Sequence, residues 1–472
     1  MKLLFVAAEI YPYAKSGGLA DVAQALPKEL NKDIVVTSIM PLYSFIDREK
    51  HKIYRLNKSF DIELGEELYR VELYQGFNRG VKTLFVYEES LCDRSGLYGD
   101  EEGDYADNYM RFGLFSKAVV MIAKAYNIEI LHLNDWHTAL AALWVRELYP
   151  SSRTLFTIHN LAFQGIYPHE AVTELGIDEK FFNSAGIEFW DSANFLKAGI
   201  AYSNKVTTVS PRYAQEILSV SFGCGLEGFL EQHQEKLCGI LNGIDRELFD
   251  PLLDQAIAQR YSLYSLPNKS QNKRSLCQEL GLEEPERPLF IFIGRFTKQK
   301  GLDLIIEALP QILEMDINIS ILGEGESDMA SDLTKIAQEH KNLSLIFGYD
   351  ESLSHRKYAA ADFLLMPSSF EPCGLNQLIS YRYGTLPLVH RVGGLYDTVI
   401  DIDEEESALC GRGIALKSLD TKGLKEAIAR AVELYIQKPS RLLEIITKNM
   451  QCDVSFQESA EKYLDCYIDT IE

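Results

Sequence analysis

Almost from end to end, the chain alternates short apolar runs rich in β-branched residues with stretches whose apolar residues recur at helical spacing. A parallel sheet with helices on its faces satisfies that order most simply, because every parallel connection must cross back over the sheet. In the first half, strands are expected at 2–8, 34–39, 83–87, 128–133, 154–158 and 206–209. Helices are expected there at 19–30, 138–148 and 211–219, the last with Pro211 in its first turn, where a missing N–H costs nothing. Residues 248–286 break the pattern: Pro251, Pro267, Gly281 and Pro285 punctuate them, and no convincing strand appears. A second series follows, with strands at 289–293, 318–322, 343–347, 363–366 and 386–390. Its helices are expected at 302–313, 327–340, 375–383 and 424–436, with Gly423 just before the last. The fold class is therefore α/β, with two Rossmann-like domains joined near Asn242-Gly243-Ile244-Asp245.

Composition narrows the function. At 472 residues the chain can bury roughly three quarters of its unfolded surface without staples. The charge sum of 47 basic against 69 acidic residues, −22, argues against nucleic acid as a partner. No apolar run approaches the roughly 18 residues of a membrane span, so no membrane partner is expected. The N-terminal run ends at Glu9 with no cleavage-like segment after it, which favours a buried first strand over a signal peptide. Cys224, Cys238, Cys277, Cys373 and Cys410 sit singly, as in a reducing, cytoplasmic protein.

Chemistry concentrates where strands hand over to helices. The first such turn carries Lys15-Ser16-Gly17-Gly18-Leu19-Ala20-Asp21, in which glycines at a helix start let the backbone approach a phosphate beside a lysine. After the first strand of the second half comes Gly294-Arg295-Phe296-Thr297-Lys298-Gln299-Lys300-Gly301, three cations at the ligand end of a parallel strand. In an acidic chain this reads as a diphosphate clamp, with arginine for bidentate contact and lysine as a point charge. The segment Met366-Pro367-Ser368-Ser369-Phe370-Glu371-Pro372-Cys373-Gly374-Leu375 sets Glu371 just before a helix, suited to polyol hydroxyls. The N–H groups of Gly374, Leu375 and Asn376 suit a phosphate. In the first half, His132-Leu133-Asn134-Asp135-Trp136-His137 and Thr157-Ile158-His159-Asn160 end adjacent strands and offer polar groups and an aromatic face to a sugar. Metal-ligand spacing is absent. The one Asp-x-Asp, Asp401-Ile402-Asp403, belongs to an acidic run read as a solvated loop, as does the run from Asp100 to Asp104.

Taken in order, these segments resemble the bacterial and plastid glycogen and starch synthases. So do Asn194-Phe195-Leu196-Lys197-Ala198-Gly199, Thr208-Val209-Ser210-Pro211, Leu241-Asn242-Gly243-Ile244-Asp245, Tyr383-Gly384-Thr385-Leu386-Pro387 and Gly393-Gly394-Leu395. The resemblance implies a GT-B fold, two facing Rossmann-like domains with a deep interdomain cleft. The first, acceptor-side domain would span 1–245 with a returning helix at about 455–472; the nucleotide-sugar domain would span 246–454. It implies glucose transfer with retention from ADP-glucose or UDP-glucose to the non-reducing 4-OH of glycogen or another α-1,4-glucan, with no metal or other cofactor. By this resemblance Arg295 and Lys300 bind the diphosphate, Glu371 holds glucose hydroxyls, and Gly374, Leu375 and Asn376 offer backbone N–H groups. Lys15, Gly18 and Asp21 contribute from the other domain, Tyr349 stacks on the nucleobase, and the His159 carbonyl faces the anomeric centre beside Asp135 and Asn160. Residues 98–112 correspond to an acceptor-side loop.

The chain departs from the family at Ser369, Asn376, His390 and Val392, and matches only loosely at Cys410-Gly411-Arg412-Gly413. Since these flank the nucleotide pocket, the choice between ADP-glucose and UDP-glucose stays open. Two other readings differ in class. One is a catalytically silent glucan-binding or regulatory homologue; the other is a nucleotide-dependent oxidoreductase, against which the missing Gly-x-Gly-x-x-Gly counts.

Overall fold

The computed structural model describes residues 1–100, 103–282, 284–348, 350–404 and 411–471. The chain divides into two compact units, Met1–Asn242 with Phe456–Glu472, and Gly243–Ser455.

Among the described residues the first unit is built on a nine-stranded sheet. Its strands are β1 (Lys2–Val6), β2 (Val35–Pro41), β3 (Tyr54–Leu64), β4 (Glu67–Asn78), β5 (Val81–Tyr87), β6 (Ile130–Asn134), β7 (Arg153–Ile158), β8 (Lys205–Thr208) and β9 (Leu237–Gly239). In space they run β9-β8-β7-β6-β1-β2-β5-β4-β3. All pairs are parallel except β3 with β4 and β4 with β5. The inner strands are covered on both faces, and β6 is buried at every residue, as parallel strands with helices on either side must be. The antiparallel strand β3 is largely exposed, and with β4 it makes an edge that the alternation rule did not anticipate. Helix α1 (Gly18–Leu30) follows β1, α2 (Asn108–Tyr126) precedes β6, and α3 (Trp136–Leu148) follows it. The chain returns in its last helix, Gln457–Ile471, whose Tyr463 and Tyr467 are fully buried against Leu3, Phe5 and Ile130.

The second unit holds, among the described residues, a seven-stranded parallel sheet. Its strands are β10 (Leu289–Ile293), β11 (Asn318–Gly323), β12 (Leu343–Phe347), β13 (Phe363–Met366), β14 (Leu386–Val389), β15 (Ile400–Asp401) and β16 (Arg412–Ala415). The spatial order is β12-β11-β10-β13-β14-β16-β15. Helices Leu302–Ile312 and Thr421–Gln437 close one face around Phe290, Phe292, Ile319 and Phe363. The stretch in which no strand was expected holds, among the described residues, no strand but a helix, Lys269–Leu280, stopped by Gly281 in the left-handed conformation. Gly423 lies inside its helix, not before it: the Asp420 side chain accepts from the Gly423 N–H at 2.7 Å and moves the start to Thr421.

Cys224, Cys238, Cys277 and Cys373 are free cysteines, as expected, but two points depart from that reading. Cys452 is disulfide-bonded, and Cys238 does not stand alone, since its Sγ lies 3.9 Å from that of Cys466. Cys410 lies outside the described residues. Among the described residues no helix is long and apolar enough to cross a membrane.

Candidate active site

In the first unit, β6 ends at Asn134 and α3 begins at Trp136, so Asp135 alone makes the turn. It does so at φ +58°, a region costly to any residue with a side chain. The strain aims its carboxylate across the sheet, where Oδ1 accepts the His159 N–H at 2.7 Å. Burial pushes the Asp135 carboxyl up to about 7, against the His159 and Asn160 backbone N–H groups, which favour its charged form. The His159 ring pairs through Nε2 with Asn134 Oδ1 at 2.9 Å. Asn134 Nδ2 donates to Val6 O, so its oxygen faces the ring and Nε2 carries the proton. Burial holds His159 down to about 3, hence neutral at physiological pH. His137, also held down to about 3 by burial, stacks against Tyr98 at 4.4 Å between ring centres.

The glycine turn after β1 is tied at two points. Lys15 Nζ pairs with Asp21 Oδ1 at 2.7 Å, and the Ser16 N–H donates to Glu9 Oε2 at 2.5 Å. Gly18 is the first residue of α1. Glu9 is buried, and desolvation, with Asp21 and Asp135 nearby, raises its carboxyl to about 7.

In the second unit, Lys300 ends a short 3₁₀ turn, Lys298–Lys300. Gly301 follows at φ +70°, where a Cβ would sit 2.1 Å from Pro367 O. A glycine is therefore required to bring this turn onto the 367–371 segment. The result is a two-oxygen ion pair: Lys300 Nζ to Glu371 Oε1 at 2.9 Å and Oε2 at 2.7 Å, with Ser368 Oγ donating to Oε2 at 3.0 Å. Glu371 is 5% exposed. Gln299 Nε2 donates to Phe370 O, and the Gly394 N–H donates to Glu371 O at 3.1 Å, so the segment is gripped from both sides. Arg295 is exposed at the end of β10. Asn376 Nδ2 donates to Ile293 O at 2.8 Å, which commits its side chain to anchoring the helix start on the end of β10. Gly374 stands at φ +72°, with Leu375 capping the helix Asn376–Arg382.

The structure thus brings Asp135, His159 and Asn160 to one strand edge, Lys15, Gly18 and Asp21 to one turn, and Arg295, Lys300, Glu371, Gly374, Leu375 and Asn376 to neighbouring strand ends of the second sheet. Tyr349 lies outside the described residues, as do Glu101, Glu102, Glu405 and Glu406 of the acidic runs. His132 is not at the site. It is fully buried, held at 2.7 Å by both Tyr467 Oη and Thr157 Oγ1. The Asp-x-Asp loop is not simply solvated. Asp401 and Asp403 each lie 2.6 Å from Arg430, and Asp403 also pairs with Arg441. Sequence reasoning missed Glu9, visible only as the residue ending an apolar strand, and Ser368, one of two serines before Phe370. Among the described residues, no group of three or more His, Cys, Asp or Glu is arranged to hold a metal ion.

A family model described as starch synthase catalytic domain matches residues 2–232, and one described as glycosyl transferases group 1 matches residues 278–449. The chain is 37% identical to a glycogen synthase of Syntrophotalea carbinolica, over 100% of this chain and 99% of the relative. It is 38% identical to a glycogen synthase of Bacillus cereus, over 100% of both. Among solved structures, the catalytic domain of starch synthase IV from Arabidopsis thaliana, bound to ADP and acarbose, matches with a TM-score of 0.94 at 32% identity, covering 99% of each chain. Sucrose-phosphate synthase from Thermosynechococcus elongatus shares the fold, with a TM-score of 0.63 at 18% identity over 99% of this chain and 98% of that one.

Proposed function

The chain belongs to the glycogen and starch synthase family of GT-B glycosyltransferases, and we propose that it extends an α-1,4-glucan by transferring glucose, with retention, from ADP-glucose to the non-reducing 4-OH. It is a glycogen synthase, a nucleotide-sugar-dependent glucosyltransferase. The oxidoreductase reading falls with that membership. ADP-glucose is favoured over UDP-glucose because the starch synthase that matches at a TM-score of 0.94 is bound to ADP.

The observation that carries the residue assignment is the Lys300–Glu371 pair at the carboxyl ends of β10 and β13. Arg295 and Lys300 neutralise the departing diphosphate, a preorganised charge stabilisation. The backbone N–H groups of Gly374, Leu375 and Asn376 add donors to it. Glu371, held in place by Lys300 through both carboxylate oxygens, accepts from glucose hydroxyls. In the first unit, Asp135 anchors the backbone of His159 so that the His159 carbonyl presents a fixed partial negative charge to an electron-poor anomeric carbon. Asn160 completes that wall, and Lys15, Gly18 and Asp21 form an anion-facing turn. A neutral His159 suits this role, since a positive ring would oppose an oxocarbenium-like centre. No protein nucleophile enters; departure and attack take place on the same face of the sugar.

Paired initial-rate assays with ADP-glucose and UDP-glucose on glycogen, in EDTA, test the reading. Turnover in EDTA with a higher kcat/KM for ADP-glucose is expected. A higher value for UDP-glucose overturns the donor assignment, and glycogen binding without turnover from either donor makes the chain a silent homologue.

A further inference from the structure

A β-hairpin in the first unit, Glu188–Phe189 paired with Ser192–Asn194, turns through just two residues, Trp190 and Asp191. Both are left-handed, at φ +53° and +60°, the backbone of a turn that ordinarily takes Asn-Gly. A bulky residue there is strained, and this one is also 83% exposed. The fold thus accepts two unfavourable terms to hold an indole in water, the mark of a surface kept for binding. The turn is not loose: Glu188 Oε1 accepts the Asp191 N–H at 3.1 Å.

Beside Trp190 lies a cavity of about 430 Å³, lined also by Glu188, Phe189, Lys197, Phe229 and Gln232. This volume falls in the range of small-molecule sites. The lining defines the ligand class. Lys197 Nζ is committed to the carbonyls of Ser184 and Glu188, at 2.7 and 2.5 Å, and sits 4.6 Å over the Phe229 ring. Its charge is therefore satisfied within the protein and does not call for an anion. What remains is aromatic surface with a carboxylate and an amide at its edge. That combination fits an uncharged ring with apolar C–H faces and equatorial hydroxyls, a pyranose.

We propose that this cavity and Trp190 form a second anchor for an α-1,4-glucan chain, built from residues other than those assigned to the transfer. The ligand identity rests on the glucan-synthase reading. The anchor holds one segment of the polymer while a non-reducing end is extended, raising the effective concentration of ends.

The test uses the full-length protein with maltoheptaose and glycogen as probes. The chain has three tryptophans, of which Trp136 and Trp144 are buried, so iodide quenching of indole fluorescence reports mainly on Trp190. Maltoheptaose is expected to shield the indole from iodide. Trp190→Ala is expected to raise half-saturating glycogen roughly three- to tenfold relative to its effect with maltotriose, the scale of one lost aromatic contact, and Trp190→Phe to recover most of it. Quenching indifferent to maltoheptaose, with an unchanged glycogen-to-maltotriose ratio, overturns the proposal. Shielding that instead follows protein concentration without glucan also overturns it and assigns the face to a second copy of the chain. If maltoheptaose shields Trp190 in a protein that turns over neither donor, the anchor stands and the enzymatic reading fails.

Discussion

Lys300 Nζ reaches both carboxylate oxygens of Glu371, at 2.9 and 2.7 Å, although the two residues are 71 positions apart. Each is the counter-charge of the other, so their roles separate only when both are changed. Lys300→Ala and Glu371→Ala are each expected to lower kcat by at least about 10²-fold, the scale of losing a preorganised charge stabiliser. Lys300→Ala is also expected to destabilise the second unit by about 3 kcal/mol, because it leaves a buried carboxylate unpaired. The double variant Lys300→Met/Glu371→Gln should regain most of the melting temperature and none of the rate. Calorimetry beside initial rates checks this, and near-wild-type turnover in either single variant refutes the assignment.

Asp135 combines a left-handed backbone with a hydrogen bond to the His159 N–H at 2.7 Å. Asparagine keeps a side-chain oxygen at the same reach and still accepts the bond; alanine has no acceptor to offer. Asp135→Asn is therefore expected to keep the fold and a substantial fraction of kcat, whereas Asp135→Ala should lose about 10²-fold through a misplaced wall. Equal losses in the two variants would place the role in the carboxylate's charge instead.

Glu9 carries a pH signature. Its carboxyl is raised by burial from 4.5 to about 7, so the native state binds a proton that the unfolded state releases first. The contribution to stability is full below about 4.5 and is lost as pH rises through about 7, up to roughly 3 kcal/mol. Glu9→Gln should accordingly raise the melting temperature more at pH 8 than at pH 5. Thermal melts across that range check it, and an equal shift at both pH values would contradict it.

The Cys238 and Cys466 sulfurs, 3.9 Å apart, need to close by only about 2 Å to bond. Oxidised glutathione is expected to convert them to a disulfide by two exchange steps that release two glutathione thiols. Peptide mapping should find the crosslink in the wild type and not in Cys466→Ser. Its absence from the oxidised wild type would show that the last helix cannot approach the β9 edge.

The period of the apolar pattern alone located most of the parallel strands, and in the second unit three of them, Leu289–Ile293, Leu343–Phe347 and Phe363–Met366, match residue for residue. Burial on both faces leaves a continuous apolar run that needs no partner to be recognised. The half-exposed strands Tyr54–Leu64 and Glu67–Asn78 lack that run and went unseen. The motif glycines and charged residues also stand out in the sequence, and the structure sets them at strand ends and helix starts. Only the tertiary structure decided how those residues pair. That Glu9 sits under Ser16, that Arg430 occupies both aspartates of Asp401-Ile402-Asp403, that His132 is a core residue under Tyr467, and that Lys300 holds Glu371 all depend on contacts between distant segments. Such contacts are set by how strands register and by where a glycine lets two backbones meet, as Gly301 does against Pro367. A one-dimensional pattern encodes which face of an element is buried; the partner on that face is chosen by close packing, which exists only once the chain has folded.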